Sequence, residues 1–236
     1  MVDSLSIMQP YFFPYLGYFQ LLKATDHLVV LDNVQYPKNS WVNRNRLVVN
    51  NKPFYITIPL KKQQSYLNPI NEVVISAEFL KWRSKMIKTI TQEYSSSPYL
   101  NDGIGLFEEA TAPSEYVSTI ALNSITATAK YLEIDLDYSL NSQSPIALSE
   151  TKGKDRVIAI CKQFNTNNYI NLPGGVCLYG HNEFLKHDIN LKFIDFASYS
   201  NRPGYLSILH LILKFGKEQT IQWVNNHNTK NGGNSV

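Results

Sequence analysis

The chain has 236 residues, with 22 Lys and Arg against 19 Asp and Glu for a formal net charge of +3, two cysteines and 15 tyrosines. That length builds one large domain with a proper core and leaves little for a second. So small a basic excess excludes a dedicated duplex nucleic-acid binder, and two cysteines exclude a disulfide framework.

From the N-terminus, "SLSIMQ" alternates and stops at a proline, which predicts a strand ending at Gln9. Helical spacing starts after Pro14 and runs from Tyr15 to Lys23 with almost no polar face, so this helix is expected to be buried on most sides. "HLVVLD" is a continuous apolar strand of the kind a covered parallel sheet contains. Strand, helix and strand with a right-handed crossover make the two strands parallel neighbours, so Gln9 and the pair Asp32, Asn33 fall at carboxyl ends, where open α/β sheets keep their ligand crevice.

"RLVVN" and "FYITIPL" flank Asn50 and Asn51 and predict a hairpin; a short strand "EVVIS" is expected to follow. Residues 77–133 switch to helical spacing and accommodate two or three helices, with the serines of "SSSP" as an N-cap before a first-turn proline. After "IDLDYSL", a third candidate strand, a helix from about Ser149 to Phe164 carries Val157, Ile158, Ile160 and Cys161 as its core stripe. "YINL", Gly174-Gly175, a short helix near Asn182 to Lys186 and "LKFIDF" restore the strand–loop–helix–strand rhythm. Residues 228–236 are expected to be a disordered tail, so the reading is one α/β domain over 1–227: a mainly parallel Rossmann-like sheet, a β-hairpin excursion and an added helical layer at about 77–133.

No apolar run reaches the ~18–20 residues of a membrane-spanning helix, and the N-terminus lacks a signal peptide's basic flank and cleavage site; a cytoplasmic protein is expected. No His, Cys and acidic residues have metal-ligand spacing, and no metal is predicted. Standard dinucleotide, phosphate-loop and hydrolase signatures are missing, although two glycines after "YINL" would let backbone amides approach an anion.

Polar groups that a core would not choose concentrate in three places: Gln9 with Tyr11 and Tyr18; "LDNVQYPKNSWVNRNR"; and Lys61 after the hairpin. The second supplies Asp32, Asn33, Gln35, Tyr36, Lys38, Trp41, Asn43, Arg44 and Arg46, an inventory suited to a polar, anionic ligand. Arg44 and Arg46, two apart on an extended segment, share a face and can clamp one anion, against the plainer reading of basic residues that merely guard a hairpin edge. Asp32 is either a general base or a cap for the following turn. Gln9 does no acid–base work but can orient a ligand or donate to a developing oxyanion. His210, within the apolar "LSILHLIL", is a general base only if that helix borders the crevice, and otherwise a satisfied core histidine.

"MQPYFFPYLGYFQLL", "LDNVQYPKNSWVNRNR", "ITIPL", "RVIAIC" and "YINLPGG" together resemble the WbqC-like family of bacterial proteins from O-antigen and other polysaccharide gene clusters, over most of the chain to about Gly216. That resemblance implies a glycine or acyl transferase decorating an amino sugar, with Gln9, Pro10, Tyr18, Asp32, Gln35, Asn43 and Arg44 at the family's polar motif positions. The order of elements is also similar to the start of nucleotidylyl-transferring Rossmann-like enzymes such as pantothenate synthetase, but tyrosines stand here where those carry a histidine-glycine-histidine signature. The expected substrate is a nucleotide sugar, with an acyl thioester, an aminoacyl donor or ATP as co-substrate. An ATP-dependent ligase or nucleotidylyl transferase, and a non-catalytic glycan- or sugar-nucleotide-binding module, are the alternatives.

Overall fold

The alternating segment read at the N-terminus forms β1 (Leu5–Met8), the apolar helix α1 (Leu16–Ala24) and "HLVV" β2 (His27–Val30), with β1 and β2 parallel and Leu5 opposite His27. The structure is a computed structural model describing residues 2–61, 67–144, 151–175, 181–195 and 205–231. Leu28 and Val30 pack into a core shared with the helical layer, while Leu5, Ile7 and Val29 pack into a second core on the opposite face. Cover on both faces is why these strands read as unbroken apolar runs.

The Asn50-Asn51 turn joins β3 (Arg44–Val49) to β4 (Lys52–Thr57), a separate antiparallel pair. Both turn residues have positive φ, 52° and 56°, which asparagine tolerates better than most residues and which matches the twist of a two-residue hairpin. Three helices follow, α2 (Phe79–Glu93), α3 (Leu100–Ala110) and α4 (Val117–Tyr131), then β5 (Tyr138–Leu140), α5 (Gly153–Gln163), β6 (Asn168–Asn171), α6 (His181–Leu185), β7 (Asn190–Asp195), α7 (Ile208–Asn225) and β8 (Asn228–Asn231). The result is α/β, with a six-stranded sheet of order β5-β2-β1-β6-β7-β8, parallel except for β8.

Three local expectations change. "EVVIS" makes single bridges, Leu60 to Ile75 and Val74 to Tyr116, because it lies between two loops rather than beside a strand. Helix α3 begins only at Leu100; Ser97 accepts the Tyr99 N–H and donates to the Leu213 carbonyl, so it closes the turn before the helix. The start of the expected tail, Asn228–Asn231, is strand β8, held by antiparallel pairing with β7 and an ion pair from Lys230 to Asp195; residues 232–236 lie outside the described residues.

Strand order fixes where a ligand can sit. From β1 the chain crosses to β2 on one side, while β6 pairs with the other side of β1 and continues outward to β7. The connections therefore diverge between β1 and β6, and it is at such a divergence that an open α/β sheet leaves a crevice beyond its carboxyl ends. The sequence reading placed the crevice between the first two strands; the sheet moves it one strand over.

Candidate functional site

Beyond Met8 the chain enters the proline–aromatic loop, whose path is set by side chains from elsewhere. Phe12 and Phe13 are fully buried against Trp82 and Phe107 instead of facing the crevice. Phe13 has a φ of 40°, a costly conformation for a bulky residue that persists only where surroundings over-determine it. Here they do. Asn45 Nδ2 donates to the Phe12 and Phe13 carbonyls at 3.0 and 2.8 Å, Ser207 Oγ donates to the Phe13 carbonyl at 2.9 Å, and the Phe13 N–H donates to Ser124 Oγ at 2.8 Å. Tyr18, rising from α1, donates its hydroxyl to the Gln9 carbonyl at 3.0 Å and fixes the turn where the strand stops.

The loop, the hairpin and the end of β6 enclose a cleft of about 620 Å³, within the range of small-ligand sites. Gln9, Tyr11, Pro14 and Tyr15 form one wall, Trp41, Asn45, Arg46 and Tyr205 a second, and Asn171, Leu172, Gly174 and Gly175 the floor at the end of β6. Arg46 is the one charged side chain among the described lining residues; its Nη2 donates to the Tyr205 carbonyl at 3.0 Å and its guanidinium carbon lies 5.4 Å from the Trp41 ring centre. Arg44, on the same strand face as expected, lies 5.7 Å from Trp41 and 5.0 Å from Tyr55, whose ring stacks near-parallel to Trp41. Together they form a cation–aromatic lip. Burial pushes the Tyr11 and Tyr15 hydroxyls above their ordinary pKa, so both remain protonated.

Of the residues singled out from sequence, the structure brings Gln9, Tyr11, Trp41 and Arg46 into this cleft, with Arg44 beside it. Pro10 and Tyr18 are buried supports. Tyr36 donates to Asn43 Oδ1 at 2.7 Å and Asn43 Nδ2 donates to the Ile58 carbonyl at 3.0 Å, a buried pair that pins the hairpin's entry. Gln35 bridges Pro69, and Lys38 and Lys61 are exposed.

Asp32 and Asn33 do not join Gln9. Because β5 lies outside β2, the single 3₁₀ turn after it (Asn141–Gln143) folds over the end of β2; Asp32 accepts from the Ser142 N–H at 2.9 Å and its hydroxyl at 2.5 Å, and Asn33 accepts from Asn141 Nδ2 at 2.6 Å. Asp32 thus holds a turn 110 positions along the chain, not the turn that follows it as the plainer reading expected.

His210 is buried in α7, 2.7 Å from the Tyr94 hydroxyl and apart from the cleft lining. Burial, helped by the Lys214 charge, lowers its pKa to about 4, which leaves it neutral near pH 7. His27 is buried between Asp137 and Ser139 at the opposite end of β2.

The reading from sequence missed Asn171, Tyr15 and Tyr205 as cleft residues, and weighed Gly174 and Gly175 only as amides that could approach an anion. "YINLPGG" did carry a signal, but only strand order shows that it ends beside Gln9.

Among known proteins, the model of the WbqC-like protein family matches residues 9–222. The chain is also similar to an uncharacterized protein of Mycobacterium tuberculosis, Rv1507c, with 22% identity over 226 residues that cover 92% of this chain and 96% of that one. No solved structure matches it.

Proposed function

The chain belongs to the WbqC-like protein family, and from that premise we propose an acyl or aminoacyl (glycine-type) transferase acting on the amine of a nucleotide-linked amino sugar in bacterial surface-polysaccharide biosynthesis. The observation that carries this reading is the mixed chemistry of the cleft lining, which holds a cation–aromatic pair, Arg46 and Trp41, together with the uncharged hydrogen-bonding group of Gln9.

In this reading Arg46 takes a phosphate oxygen of the nucleotide diphosphate, with Arg44 and the exposed Lys38 adding positive potential at the rim. Trp41, with Tyr55 beside it, offers a flat surface for base or sugar. Gln9 donates to the carbonyl oxygen of the acyl group. The free amine attacks the carbonyl carbon, the C–S bond of a thioester or the C–O bond of an aminoacyl ester breaks, and the nitrogen's surplus proton leaves to water. Asp32 has no part in that transfer, since both its oxygens are engaged by Ser142. The acceleration asked of the protein is mainly positioning of amine and carbonyl, with donors aimed at the oxygen that gains charge.

The test is mass spectrometry of uridine- and thymidine-diphosphate amino sugars incubated with the protein and a panel of thioester and aminoacyl-ester donors. A product heavier by one acyl group is expected, and no gain with any donor removes the reading. Location at the strand-order divergence also favours a second reading, an ATP-using ligase or nucleotidylyl transferase, since nucleotides bind Rossmann-like sheets there. Release of pyrophosphate together with an ATP-dependent rise in Tm would favour it instead.

A further inference from the structure

Asn171, the last residue of β6, is 8% exposed and lines the same cleft as Arg46 and Trp41. Its Oδ1 accepts the Leu172 N–H at 2.7 Å, which fixes which end of the carboxamide is oxygen and turns Nδ2 the other way. Gly175 keeps room for that Nδ2: a Cβ at this position would stand 2.5 Å from it, closer than side-chain carbons come to other atoms. Gly175 has an ordinary φ and donates its own N–H to the Leu172 carbonyl, so the close approach of Asn171 is what demands glycine here. Among the described residues nothing accepts from Nδ2, so a donor on a side chain more than nine-tenths buried is left over at the cleft floor. Nδ2 is not among the side-chain atoms sealed from solvent without a partner, so its hydrogens are open to the cleft and available to a ligand that displaces water there.

We infer that the Asn171 carboxamide, seated on Gly175, is a donor for the carbonyl or carboxylate oxygen of the ligand's acyl portion, working with Gln9 from the neighbouring strand. The inference rests on the acyl-transfer reading for the name of that oxygen, and on the geometry alone for the seat. A carboxamide suits an acyl oxygen because it donates without a full charge, whereas a phosphate is matched by the cation of Arg46 in the same cleft. Two uncharged donors at adjacent strand ends can hold a ground-state carbonyl and strengthen as that oxygen becomes an oxyanion during attack by the amine.

The closing experiment reads the seat without requiring turnover. In the full chain labelled with ¹⁵N-asparagine, the Asn171 side-chain NH₂ pair is the one missing from the spectrum of Asn171→Asp, a variant that keeps the acceptor for Leu172 N–H. Acetate and N-acetylglycine are added as acyl-oxygen probes, and inorganic phosphate and glycerol as probes of the other oxygen classes. The expected result is a saturable downfield shift of that pair with the two acyl probes, lost in Gly175→Ala, whose spectrum elsewhere stays that of a folded protein. A pair that does not move, that moves equally in Gly175→Ala, or that moves only with phosphate overturns the inference. Where wild-type transfer is measurable, Asn171→Asp is expected to lower kcat by roughly 10²–10³-fold with KM for the amino-sugar acceptor unchanged, as removal of an oxyanion donor does. A shifting NH₂ pair in a protein that transfers no acyl group would sink the proposed reaction and leave the seat standing.

Discussion

At the scale of single residues, the account depends on Asn45. Its Nδ2 satisfies two carbonyls in the strained Phe12-Phe13 turn and its Oδ1 accepts the Arg46 N–H, all in a site that is 4% exposed. Removing it strands the Phe12 carbonyl and the Arg46 N–H and leaves the Phe13 carbonyl to Ser207 alone, so Asn45→Ala is expected to cost about 2–4 kcal/mol, read as a lower urea midpoint. A loss under ~0.5 kcal/mol would mean that the loop holds its shape without this residue. His210 makes a second residue-scale prediction. Its folded pKa of about 4 lies below the ordinary 6.5, so the folded state binds fewer protons than the unfolded one between those values. Stability from the neutral histidine is therefore fully present above about pH 6.5 and is lost as pH falls toward 4, by roughly 2–3 kcal/mol. His210→Gln should flatten that part of the stability–pH curve, and a curve unchanged in shape would show that other groups set it. Sequence alone left His210 open between a base and a core histidine, because the apolar run around it fits both and only its partner Tyr94 decides.

At the scale of elements, helices and strands followed from local patterns because each pattern has one favourable burial. "HLVV" needs cover on both faces and has it, and Asn50-Asn51 supplies the two positive-φ residues of the hairpin turn. What local pattern could not convey is how α7 bends. Gly216 interrupts it at φ 78°, and a Cβ there would stand 2.5 Å from the Tyr99 ring, so Gly216→Ala would add backbone strain to a clash. We expect about 2–4 kcal/mol of destabilisation from the two effects, measured by chemical denaturation, and a neutral substitution would mean that the ring moves aside freely. At the other end of α7 the N-cap Ser207 donates to the Phe13 carbonyl and accepts the Leu209 N–H, which ties the helix start to the loop above the cleft.

At the scale of the whole molecule, the cleft lies by the ends of β1 and β6, one strand over from the crevice that the sequence reading placed between β1 and β2. Gln9, Trp41 and Arg46 were legible because a strand end, an aromatic and a cation within one polar-rich stretch have few purely structural uses. Asn171 and Gly175 lie more than 160 positions from Gln9, and their arrival beside it is set by the pairing of β6 with β1, which no neighbouring residue encodes. Asp32 stayed open between base and cap for the mirror-image reason, since the turn that covers it comes from residues 141–143.

That relocation is tested most directly by titrating a uridine-diphosphate amino sugar into wild type, Arg46→Ala and Asp32→Asn and comparing Kd by calorimetry. The account predicts that Arg46→Ala weakens binding by about 10–100-fold, as loss of a charge-assisted hydrogen bond does, while Asp32→Asn lowers the unfolding temperature and leaves Kd within about twofold. Binding that survives Arg46→Ala but fails in a folded Asp32→Asn would return the ligand to the first two strands and contradict it.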